Sequence, residues 1–397
     1  MKIFLSRPAV ICAAGKNSGE LYDALCRADN SSIKKHKVIS GQEFFAASVD
    51  MEALNAENIP TDFDSKLLRL ENTALNQIKD TIETAVKKYG AEKIGVCLGS
   101  CDNLTELSCP AHNEYFTSGK FNNYSIEKQS AQYAARFIKD RFGIKGPCSS
   151  FSTACSSSAG AIIKAVQLLK AGICDAVIAG GVDIASDTAL MGFGSLEAIS
   201  PEPTNPFSKN RHGITMGEAA AFFLLSREDL DGTGISIAGY GESADAYHIT
   251  SPDPEGSGAA AAMEAALKSA GMTAKDIGYL NLHGTGTKFN DSMEAKAVSQ
   301  IFGDYQVPCS STKGTTGHTL GAAGALELAV CYEVLQAAKN NKTSLPAQHW
   351  DKVQDETLPP LNIVNAGSPC QTEKIQACMS SSFAFGGSNT ALIIKKD

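Results

Sequence analysis

Cys155 is the strongest candidate nucleophile in the sequence. It lies within a run of small residues, 152–160, and a helical pattern over residues 156–171 begins beside it. A thiol at a helix N-terminus faces unpaired backbone N–H groups and the positive end of the helix dipole, which stabilise a thiolate. Small neighbours also leave room for a substrate. We therefore predict that Cys155 attacks a carbonyl carbon, and that the other eleven of the twelve cysteines are unreactive core residues.

His283 is a second candidate, because it follows a strand pattern over residues 277–282 and opens a Gly/Thr loop. Strand ends of this kind present side chains at the carboxyl edge of a sheet. Taken alone, His283 could equally be a hydrogen-bonded histidine in a tight turn. Asp291 and Glu294 follow, and their spacing predicts a capping box for a helix over residues 292–302, with aspartate in place of serine or threonine. A supporting role beside the site is the second interpretation of this pair.

Two further Gly-rich loops carry groups that could serve the same chemistry. Lys313 and His318 stand five residues apart in a Gly/Thr loop that leads into a helical pattern over residues 319–338. The first turns of that helix are nearly all glycine and alanine, so it can pack very closely against a neighbour. Phe383 and Phe385 flank the start of a Gly-Gly loop whose backbone N–H groups could stabilise an oxyanion. A nucleotide-binding P-loop is not indicated, since its Gly-x-x-x-x-Gly-Lys-Ser/Thr spacing is absent.

These candidates lie on loops between alternating strand and helix patterns, which indicate an α/β protein with parallel sheets. Strands are predicted at residues 94–98, 175–179, 221–225, 277–282 and 391–394, and helices at residues 156–171, 258–270, 292–302 and 319–338. The strand over 175–179 is expected to break at Gly180 and Gly181. A glycine-rich turn separates two similar series of elements, so we divide the chain into halves 1–235 and 236–397. The polar segment 103–145 is expected to be an insertion that forms a cap or a subunit contact.

The composition excludes several classes of function. The 397 residues are 43% hydrophobic and 20% charged, and a net charge of −8 argues against a nucleic-acid-binding surface. Twelve cysteines without a Cys-x-x-Cys pair or zinc-type spacing predict reduced thiols in the cytoplasm. Arg7 and Pro8 interrupt the apolar run at the N-terminus, and Glu327 and Glu333 interrupt residues 319–338. Neither a signal peptide nor a membrane span is therefore predicted.

Together these motifs resemble the β-ketoacyl-acyl carrier protein synthases of the thiolase superfamily. The resemblance covers nearly the whole chain, and it rests on five motifs in order: Cys155, His283, Lys313, His318 and the Phe-x-Phe-Gly-Gly loop. It extends to three connecting stretches, residues 179–183, 206–213 and 216–220. The Cys-His-His set is similar to that of the elongating synthases, whereas the initiating, CoA-using synthases carry Cys-His-Asn.

The resemblance implies an α/β fold in which two similar halves form a thiolase-like five-layer α-β-α-β-α sandwich, usually dimeric. It implies that Cys155 takes an acyl group from the phosphopantetheine arm of an acyl carrier protein, while the backbone N–H groups of Cys155 and Phe385 hold the oxyanion. Neutral His283 and His318 would then hydrogen-bond the enolate formed when a malonyl thioester loses CO2. The resulting carbanion would extend the acyl chain by two carbons. No metal or redox cofactor is implied.

Supporting roles follow from the same resemblance. Lys313 would hold His318, and Glu294 would support the loop that carries the first histidine. Phe385, with Phe383 beside it, would form the gate between the acyl and malonyl steps. The sequence departs from the family at Ala384, where glycine is usual, and its methyl group restricts φ and could alter the motion of the gate.

For the carrier protein, Lys66 and Arg69 stand three residues apart on a predicted helix. They match a basic pair that the family uses for docking, although two solvated helix residues would show the same pattern. We expect a homodimer, and a heterodimer with a nucleophile-free paralogue is the alternative that the sequence leaves open. It also leaves open whether the product is a fatty acid, a polyketide or a polyene.

Two other functions compete with the condensing enzyme. A thiolase acting on CoA thioesters would need a second cysteine in a Cys-x-Gly-Gly loop, and Cys378 lies well before Gly386 and Gly387. A chain-length-factor subunit, which binds a true synthase, lacks the nucleophile, whereas Cys155 is present. The sequence therefore favours a condensing acyltransferase.

Overall fold

The computed structural model describes residues 1–120, 124–339, 344–367 and 375–397. The strands of these residues are β1 (Phe4–Leu5), β2 (Ala9–Cys12), β3 (Lys34–Lys37), β4 (Glu43–Ala47), β5 (Ile94–Gly99), β6 (Cys148–Phe151), β7 (Ala176–Asp183), β8 (Met216–Gly217), β9 (Ala219–Ser226), β10 (Ile235–Ala244), β11 (Tyr279–Leu282), β12 (Pro308–Ser311), β13 (Asn362–Ile363), β14 (Ala377–Phe383) and β15 (Ser388–Lys396). The α-helices are α1 (Ser18–Cys26), α2 (Lys66–Asn76), α3 (Lys79–Tyr89), α4 (Thr105–Ser118), α5 (Ala131–Arg141), α6 (Ser157–Lys170), α7 (Asp187–Ser195), α8 (Ser257–Ala270), α9 (Lys288–Phe302), α10 (Lys313–Thr316) and α11 (Ala323–Lys339).

Two series of five strands repeat the same order and the same directions. The first runs β6-β5-β7-β9-β2, where β5 is parallel to β6 and β7, and β9 is antiparallel to β7 and β2. The second runs β12-β11-β14-β15-β10, with the same pattern of parallel and antiparallel pairs. β1 pairs with β9 and β10 and so joins the two series into one sheet. The proposed division near residue 235 falls at the first residue of β10.

Three of the four apolar cores among the described residues define five layers. The first core packs α2, α3 and α5 against the first strand series, with Leu68, Ile82 and Phe137 fully or almost fully buried. The central core contains α6 and α11, and it also receives side chains from both strand series. The third core packs α8 and α9 against the second series, through Met263 and Val298. The predicted α/β five-layer α-β-α-β-α arrangement of two similar halves is thus confirmed.

The two central helices approach each other as closely as their small residues allow. A Cβ atom added to Gly324 on α11 would lie 2.8 Å from the Cβ of Ala159 on α6. The Ser158 hydroxyl of α6 accepts a hydrogen bond from Ala325 N of α11 at 2.9 Å. The close packing predicted from the glycine and alanine content of this helix is therefore confirmed. It brings together the N-terminal ends of the two helices, which carry Cys155 and His318 just upstream.

Gly180 and Gly181 do not break a strand, contrary to expectation. Both lie inside β7, which is buried along its whole length, as expected of a strand covered on both faces. A Cβ atom on Gly180 would lie 2.0 Å from Ala221 O of β9, and one on Gly181 would lie 2.6 Å from Gly99 O of β5. The glycines therefore permit a close approach of neighbouring strands.

The segment 103–145 is not simply an insertion. Its C-terminal part forms α5, whose Tyr133, Phe137 and Ile138 are buried in the first core. The peripheral part is α4, whose last turn carries two exposed aromatic residues, Tyr115 and Phe116. Residues 121–123 lie outside the described residues. The second half of the segment thus belongs to the core, and the role of α4 as a cap or a subunit contact stays a prediction.

One described helical stretch, Leu320–Ala338, is long and apolar enough to cross a membrane by composition alone. However, 89% of this stretch is buried within the protein. It forms the core helix α11 and the turn before it, between the two strand series. The burial explains its apolar composition without a membrane.

Candidate active site

Cys155 lies in a short 3₁₀ turn, Ala154–Ser156, directly before α6. Ala154 has a φ of 48°, in the left-handed region, and this sharp turn presents the cysteine at the N-terminus of the helix. The Ser157 hydroxyl holds the turn, since it donates to Ala154 O at 2.6 Å and accepts from Thr153 N at 2.9 Å. Cys155 as a whole residue is 7% exposed, and it lines a cavity.

Burial raises the pKa of the Cys155 thiol to about 11. The positive charge of Lys313 lowers the pKa most strongly, and the backbone N–H groups of Phe385 and Cys155 lower it further, but burial outweighs them. The backbone N–H group at the start of the helix thus favours the thiolate, as expected, but burial has the larger effect and keeps the net pKa raised. The same two N–H groups converge on the sulfur, so they can also hydrogen-bond an oxyanion formed on it.

His318 contacts the nucleophile directly. Its Nε2 lies 3.0 Å from Cys155 Sγ, and its side chain is buried. Leu320 N donates to His318 Nδ1 at 3.2 Å, so Nδ1 is an acceptor and the proton of the neutral ring is on Nε2. Burial, and then the charge of Lys313, lower the pKa of His318 well below its usual value. His318 is therefore a neutral ring that donates from Nε2 toward the cavity.

His283 is held in the same tautomer by a different partner. Its Nδ1 lies 3.4 Å from the Lys313 ammonium, which is always a donor, so the ring proton is again on Nε2. Burial, followed by the charges of Lys313 and His318, lowers the pKa of His283 well below its usual value. The rings of His283 and His318 lie edge to face with centroids 5.4 Å apart. Two neutral imidazoles thus present N–H donors to one small volume beside Cys155.

Lys313 is held by Glu327, a residue that the sequence analysis used only to exclude a membrane span. The Lys313 ammonium forms a buried ion pair with Glu327 of α11 and also donates to the carbonyl oxygen of His283. Both charged side chains are 1% exposed. Lys313 therefore contacts His283 and not His318, which corrects the predicted partner. Glu327 lies in the most apolar part of α11, between Leu326 and Leu328, and a glutamate at such a position was the signal that could have revealed it.

The Phe-x-Phe-Gly-Gly loop closes the site from the side of β14. Phe383 is buried with its ring 6.0 Å from that of His283, while Phe385 is half-buried with its ring 5.8 Å from Phe193 of α7. Positive φ values in this loop fall on Gly386 and Gly387, at 86° and 78°. Ala384 lies outside the left-handed region, so its methyl group is compatible with the observed backbone.

A cavity of about 420 Å³ joins these groups. Its lining includes Cys155, His283 and His318 as well as the aromatic side chains Phe193, Phe289, Phe383 and Phe385. Such a mixture of apolar walls and a few convergent polar groups is typical of a site that binds an apolar chain with one reactive end. A nucleophile, two backbone donors and two imidazole donors around one cavity can support acyl transfer and can stabilise an enolate.

Two family models match this chain. The model described as "Beta-ketoacyl synthase, N-terminal domain" matches residues 56–230, and the model described as "Beta-ketoacyl synthase, C-terminal domain" matches residues 235–344. The chain belongs to the β-ketoacyl synthase family. It is therefore a condensing enzyme of the acyltransferase class, as the sequence motifs predict.

Individual members of the family are similar to this synthase over most of their length. Nodulation protein E of Rhizobium meliloti is 36% identical over 317 residues, which cover 78% of this chain and 76% of the relative. The 3-oxoacyl-[acyl-carrier-protein] synthase 2 of Coxiella burnetii is 29% identical and covers 100% of this chain and 98% of its own. A chain of the solved complex of ketosynthase ApeO with its chain length factor ApeC, from Xenorhabdus doucetiae, is 38% identical with a TM-score of 0.90. That match covers 100% of this chain and 98% of the other.

Glu294 and Asp291 support the histidine loop of the synthase and do not form the predicted capping box. The helix cap is Thr287, whose side chain accepts from Asn290 N. The Glu294 carboxylate instead accepts from His283 N at 2.6 Å and from Gly284 N at 2.7 Å. Asp291 accepts from the backbone N–H groups of Phe207, Thr285 and Gly286. Both carboxylates therefore fix the backbone on either side of the loop that carries His283.

Lys66 and Arg69 lie on the first turns of α2, as predicted, but neither is a free positive charge. Lys66 Nζ lies 2.7 Å from the carboxylate of Glu218, which is buried, and Arg69 makes two hydrogen bonds to Asp64. Each cation is thus neutralised within its own chain. The structure therefore gives no support for these two residues as the docking site for an acidic partner.

Cys155, His283 and His318 also form the one group of potential metal ligands found among the described residues. Their sulfur and nitrogen atoms all lie within 4.8 Å of one another, and thiolate and imidazole are ligands that Zn²⁺ accepts. A bound metal would occupy the imidazole nitrogens that otherwise donate into the cavity. The synthase reaction without a metal remains a prediction.

We expect alkylation of Cys155 by iodoacetamide to accelerate about tenfold per pH unit from about pH 7 to pH 10. Only the thiolate reacts, and the thiol stays mostly protonated below its pKa of about 11. The rate is measured by mass spectrometry of the peptide that contains Cys155. Lys313→Met should slow the reaction at each pH, because the lysine charge lowers the pKa of this thiol. A rate that is already constant near neutral pH would contradict the expectation.

Proposed function

We propose that this synthase catalyses the decarboxylative condensation of a malonyl thioester with an acyl group held on Cys155. The observation that carries the proposal is the presence of two separate pairs of donors around one nucleophile. The backbone N–H groups of Cys155 and Phe385 face the sulfur, and the Nε2–H groups of His283 and His318 face the cavity. Two sequential reactions with two different oxyanions require two such sets.

In the first step, the Cys155 thiol loses its proton, which is finally taken up by the departing carrier thiolate, and the Cys155 thiolate attacks the carbonyl carbon of an acyl thioester. The oxyanion of the tetrahedral intermediate accepts hydrogen bonds from the N–H groups of Cys155 and Phe385. The carbon–sulfur bond to the carrier then breaks, and the released carrier thiolate takes a proton. Removal of one donor of this kind typically costs about 3 kcal/mol of transition-state stabilisation.

In the second step, a malonyl thioester occupies the cavity and its bond to the carboxylate breaks. CO2 leaves, and the electron pair forms an enolate whose oxygen accepts from Nε2–H of His283 and His318. The enolate carbon attacks the carbonyl of the acyl group on Cys155, and the cysteine thiolate is the leaving group. Every electron pair comes from a thiolate or from the bond to the carboxylate, so the proposal needs no metal or redox cofactor.

The buried pair of Lys313 and Glu327 serves this second step by holding a neutral tautomer. The ammonium group donates to Nδ1 of His283 and so keeps the proton of that ring on Nε2. Its positive charge also opposes protonation of both imidazoles. Glu327 compensates the charge of the lysine, because an unpaired ammonium would be costly at 1% exposure.

An acyl carrier protein is the proposed carrier of both substrates. The name of the Coxiella burnetii relative includes this carrier, and the Xenorhabdus doucetiae complex pairs a ketosynthase with a chain length factor. We extend both associations to this chain, and we prefer a heterodimer with a nucleophile-free paralogue to a homodimer. The cavity reaches the surface beside Lys288 and Phe289, both exposed, so the carrier is proposed to bind there.

A cytoplasmic location is supported by the free thiols of all the described cysteines.

The thiolase alternative is not favoured. Cys378 lies on the buried strand β14 and does not line the cavity. Among the described cavity-lining residues, Cys155 is the sole cysteine. A second thiol that could exchange protons with the substrate is therefore missing from the described part of the site.

The proposal is tested by reconstitution with acyl-loaded and malonyl-loaded acyl carrier proteins. We expect mass spectrometry to detect an acyl group on the Cys155 peptide when the acyl-carrier thioester alone is supplied. Addition of the malonyl carrier should consume this adduct and release CO2 and a β-ketoacyl thioester that is two carbons longer. A panel of acyl chain lengths, with and without a candidate paralogous subunit, identifies the chain class. Acylation at a different cysteine would contradict the proposal.

A further inference from the structure

Asp183 is a completely buried carboxylate that the proposed reaction does not use. It is the last residue of β7, and its side chain is surrounded by hydrogen-bond donors. Oδ1 accepts from Ser100 Oγ at 2.9 Å, from Cys101 N at 3.0 Å and from Asp102 N at 2.9 Å. Oδ2 accepts from Cys101 N at 2.9 Å and from Gly321 N at 2.6 Å. The donors come from two parts of the chain that are more than two hundred residues apart in sequence.

One side of Asp183 leads to the nucleophile. Cys101, whose backbone N–H donates to both oxygens of Asp183, also donates through its thiol to Ala154 O at 3.0 Å. Ser152 Oγ donates to Ser100 O at 2.7 Å, so a second contact joins the same segment to the nucleophile turn. The segment after β5 therefore transmits the position of Asp183 to the turn that carries Cys155.

The other side of Asp183 leads to His318. Gly321 lies in the turn Leu320–Ala322, and Leu320 has a φ of 50°, which is costly for a non-glycine residue. Leu320 N in this conformation donates to Nδ1 of His318. The hydrogen bond from Gly321 N to Asp183 anchors the turn directly after that contact. Without this anchor, the backbone conformation that fixes the imidazole tautomer would lose its nearest support.

Glycine is required for this contact. A Cβ atom on Gly321 would lie 2.6 Å from Asp183 Oδ2 and 2.9 Å from Cys101 Sγ. No real Cβ atom tolerates such distances, so the backbone N–H can reach the carboxylate because the residue has no side chain. The close approach of Gly321 to Asp183 and the hydrogen bonds to both oxygens of the Asp183 carboxylate are two independent features of this contact between the halves.

We propose that Asp183 is a positioning residue that joins the Cys155 turn of one half to the His318 turn of the other. Through Gly321 and Leu320, it holds His318 in the tautomer that donates from Nε2. This inference depends on the proposed role of His318 as a donor to the enolate. Asp183 does not touch the substrate, so its effect is expected on the step that needs His318.

Asp183→Asn tests the proposal with little change in volume. Oδ1 faces three donors and Oδ2 faces two, so the amide oxygen is expected to take the Oδ1 position. The amide NH2 then faces Gly321 N–H, and two donors repel each other. We expect decarboxylation of a malonyl thioester to fall at least about tenfold more than acylation of Cys155. The imidazole nitrogens of His318, followed by NMR, should show loss of the single Nε2–H tautomer.

Glu71→Gln is the matched control. Glu71 is also a fully buried carboxylate of the first half, but neither of its oxygens has a hydrogen-bond partner among the described residues. The same chemical change should leave the ratio of the two partial reactions as in the original protein. If Asp183→Asn lowers both partial reactions equally and leaves the His318 tautomer unchanged, Asp183 has a merely structural role and the proposal is overturned.

A second variant, Gly321→Ala, keeps the proposal testable if Asp183→Asn does not fold. The added methyl group would push the His318 turn away from an intact Asp183, so the same selective loss of decarboxylation is expected. An unchanged ratio in a folded Gly321→Ala protein would contradict the proposal. Absence of both partial reactions in the original protein would instead contradict the proposed function, so the two failures are distinguishable.

Discussion

Cys155→Ala is expected to abolish condensation, with a loss on the order of 10³-fold or more, because no acyl group can be held covalently. Among the described residues that line the cavity, no other cysteine can replace it. The fold should survive the change. The turn around Cys155 is held by the Ser157 hydroxyl and the backbone of Ala154 and Thr153, and alanine occupies less space than cysteine.

The same variant separates the two half-reactions. The donors proposed for decarboxylation belong to His283 and His318. The tautomer of His283 is fixed by Lys313 and that of His318 by Leu320 N, and neither of these contacts involves the sulfur of Cys155. Cys155→Ala should therefore still release CO2 from a malonyl thioester, within about tenfold of the original rate. The measurements are intact-protein mass spectrometry for acylation and CO2 release for decarboxylation.

Cys109→Ala provides the control for the loss of a thiol. Cys109 is half-buried on α4, where its sulfur lies 3.0 Å from the hydroxyl oxygen of Thr188, and it does not line the cavity. This variant should acylate and condense like the original protein. Normal chain extension by Cys155→Ala would show that the acyl group is transferred without a cysteine intermediate, and the assignment would have to be abandoned.

The positions of the strands and helices followed well from the sequence, because local patterns determine them. Residues 94–98 lie in β5, and the pattern over 258–270 corresponds to α8, with one residue added at the N-terminus. The alternation of buried strands and amphipathic helices was enough to predict two halves. The predicted strand end at Gly180 was wrong. A glycine that permits close packing of two strands looks the same in the sequence as a glycine that ends a strand. The two cases can be told apart only when the neighbouring strand is known.

The meeting of Cys155, His283 and His318 was predictable, but the contacts that tune them were not. The resemblance to the β-ketoacyl synthases implied that these residues share one site, and the structure brings their sulfur and nitrogen atoms within 4.8 Å of one another. The resemblance implied that Lys313 holds His318, yet the loop directs its ammonium to His283. Asp183 contacts Gly321 across the junction of the two halves, and Glu327 pairs with Lys313 within the second half; no local pattern marks either contact.

The protonation of Cys155 is another property that depends on the complete fold. The helix N-terminus and nearby N–H groups favour a thiolate, and these are visible in the sequence as a small-residue turn before a helix. The opposing effect, burial, depends on how tightly the loop of Phe385 and the turn of His318 cover the sulfur. Since burial is the largest contribution to the pKa, the sign of the shift could not be obtained from the sequence.

His318→Ala is expected to reduce decarboxylation of a malonyl thioester by about 10² to 10³-fold, the usual effect of removing one donor to a developing oxyanion. Acylation of Cys155 should fall by no more than about tenfold. The reason for the difference is the tautomer: Nδ1 already accepts from Leu320 N, so Nε2 carries a proton and cannot take one from the thiol. His318 can only donate to the sulfur, 3.0 Å away, or to an oxyanion in its place.

His318→Asn and His349→Ala make the result specific. An asparagine amide can supply an N–H donor, so it should recover decarboxylation by about tenfold over the alanine variant. His349 is half-buried and hydrogen-bonds Ala28 O outside the cavity, so its removal should leave both partial reactions unchanged. Equal losses of acylation and decarboxylation in His318→Ala would mean that this imidazole mainly activates Cys155. The tautomer fixed by Leu320 would then have to change during catalysis.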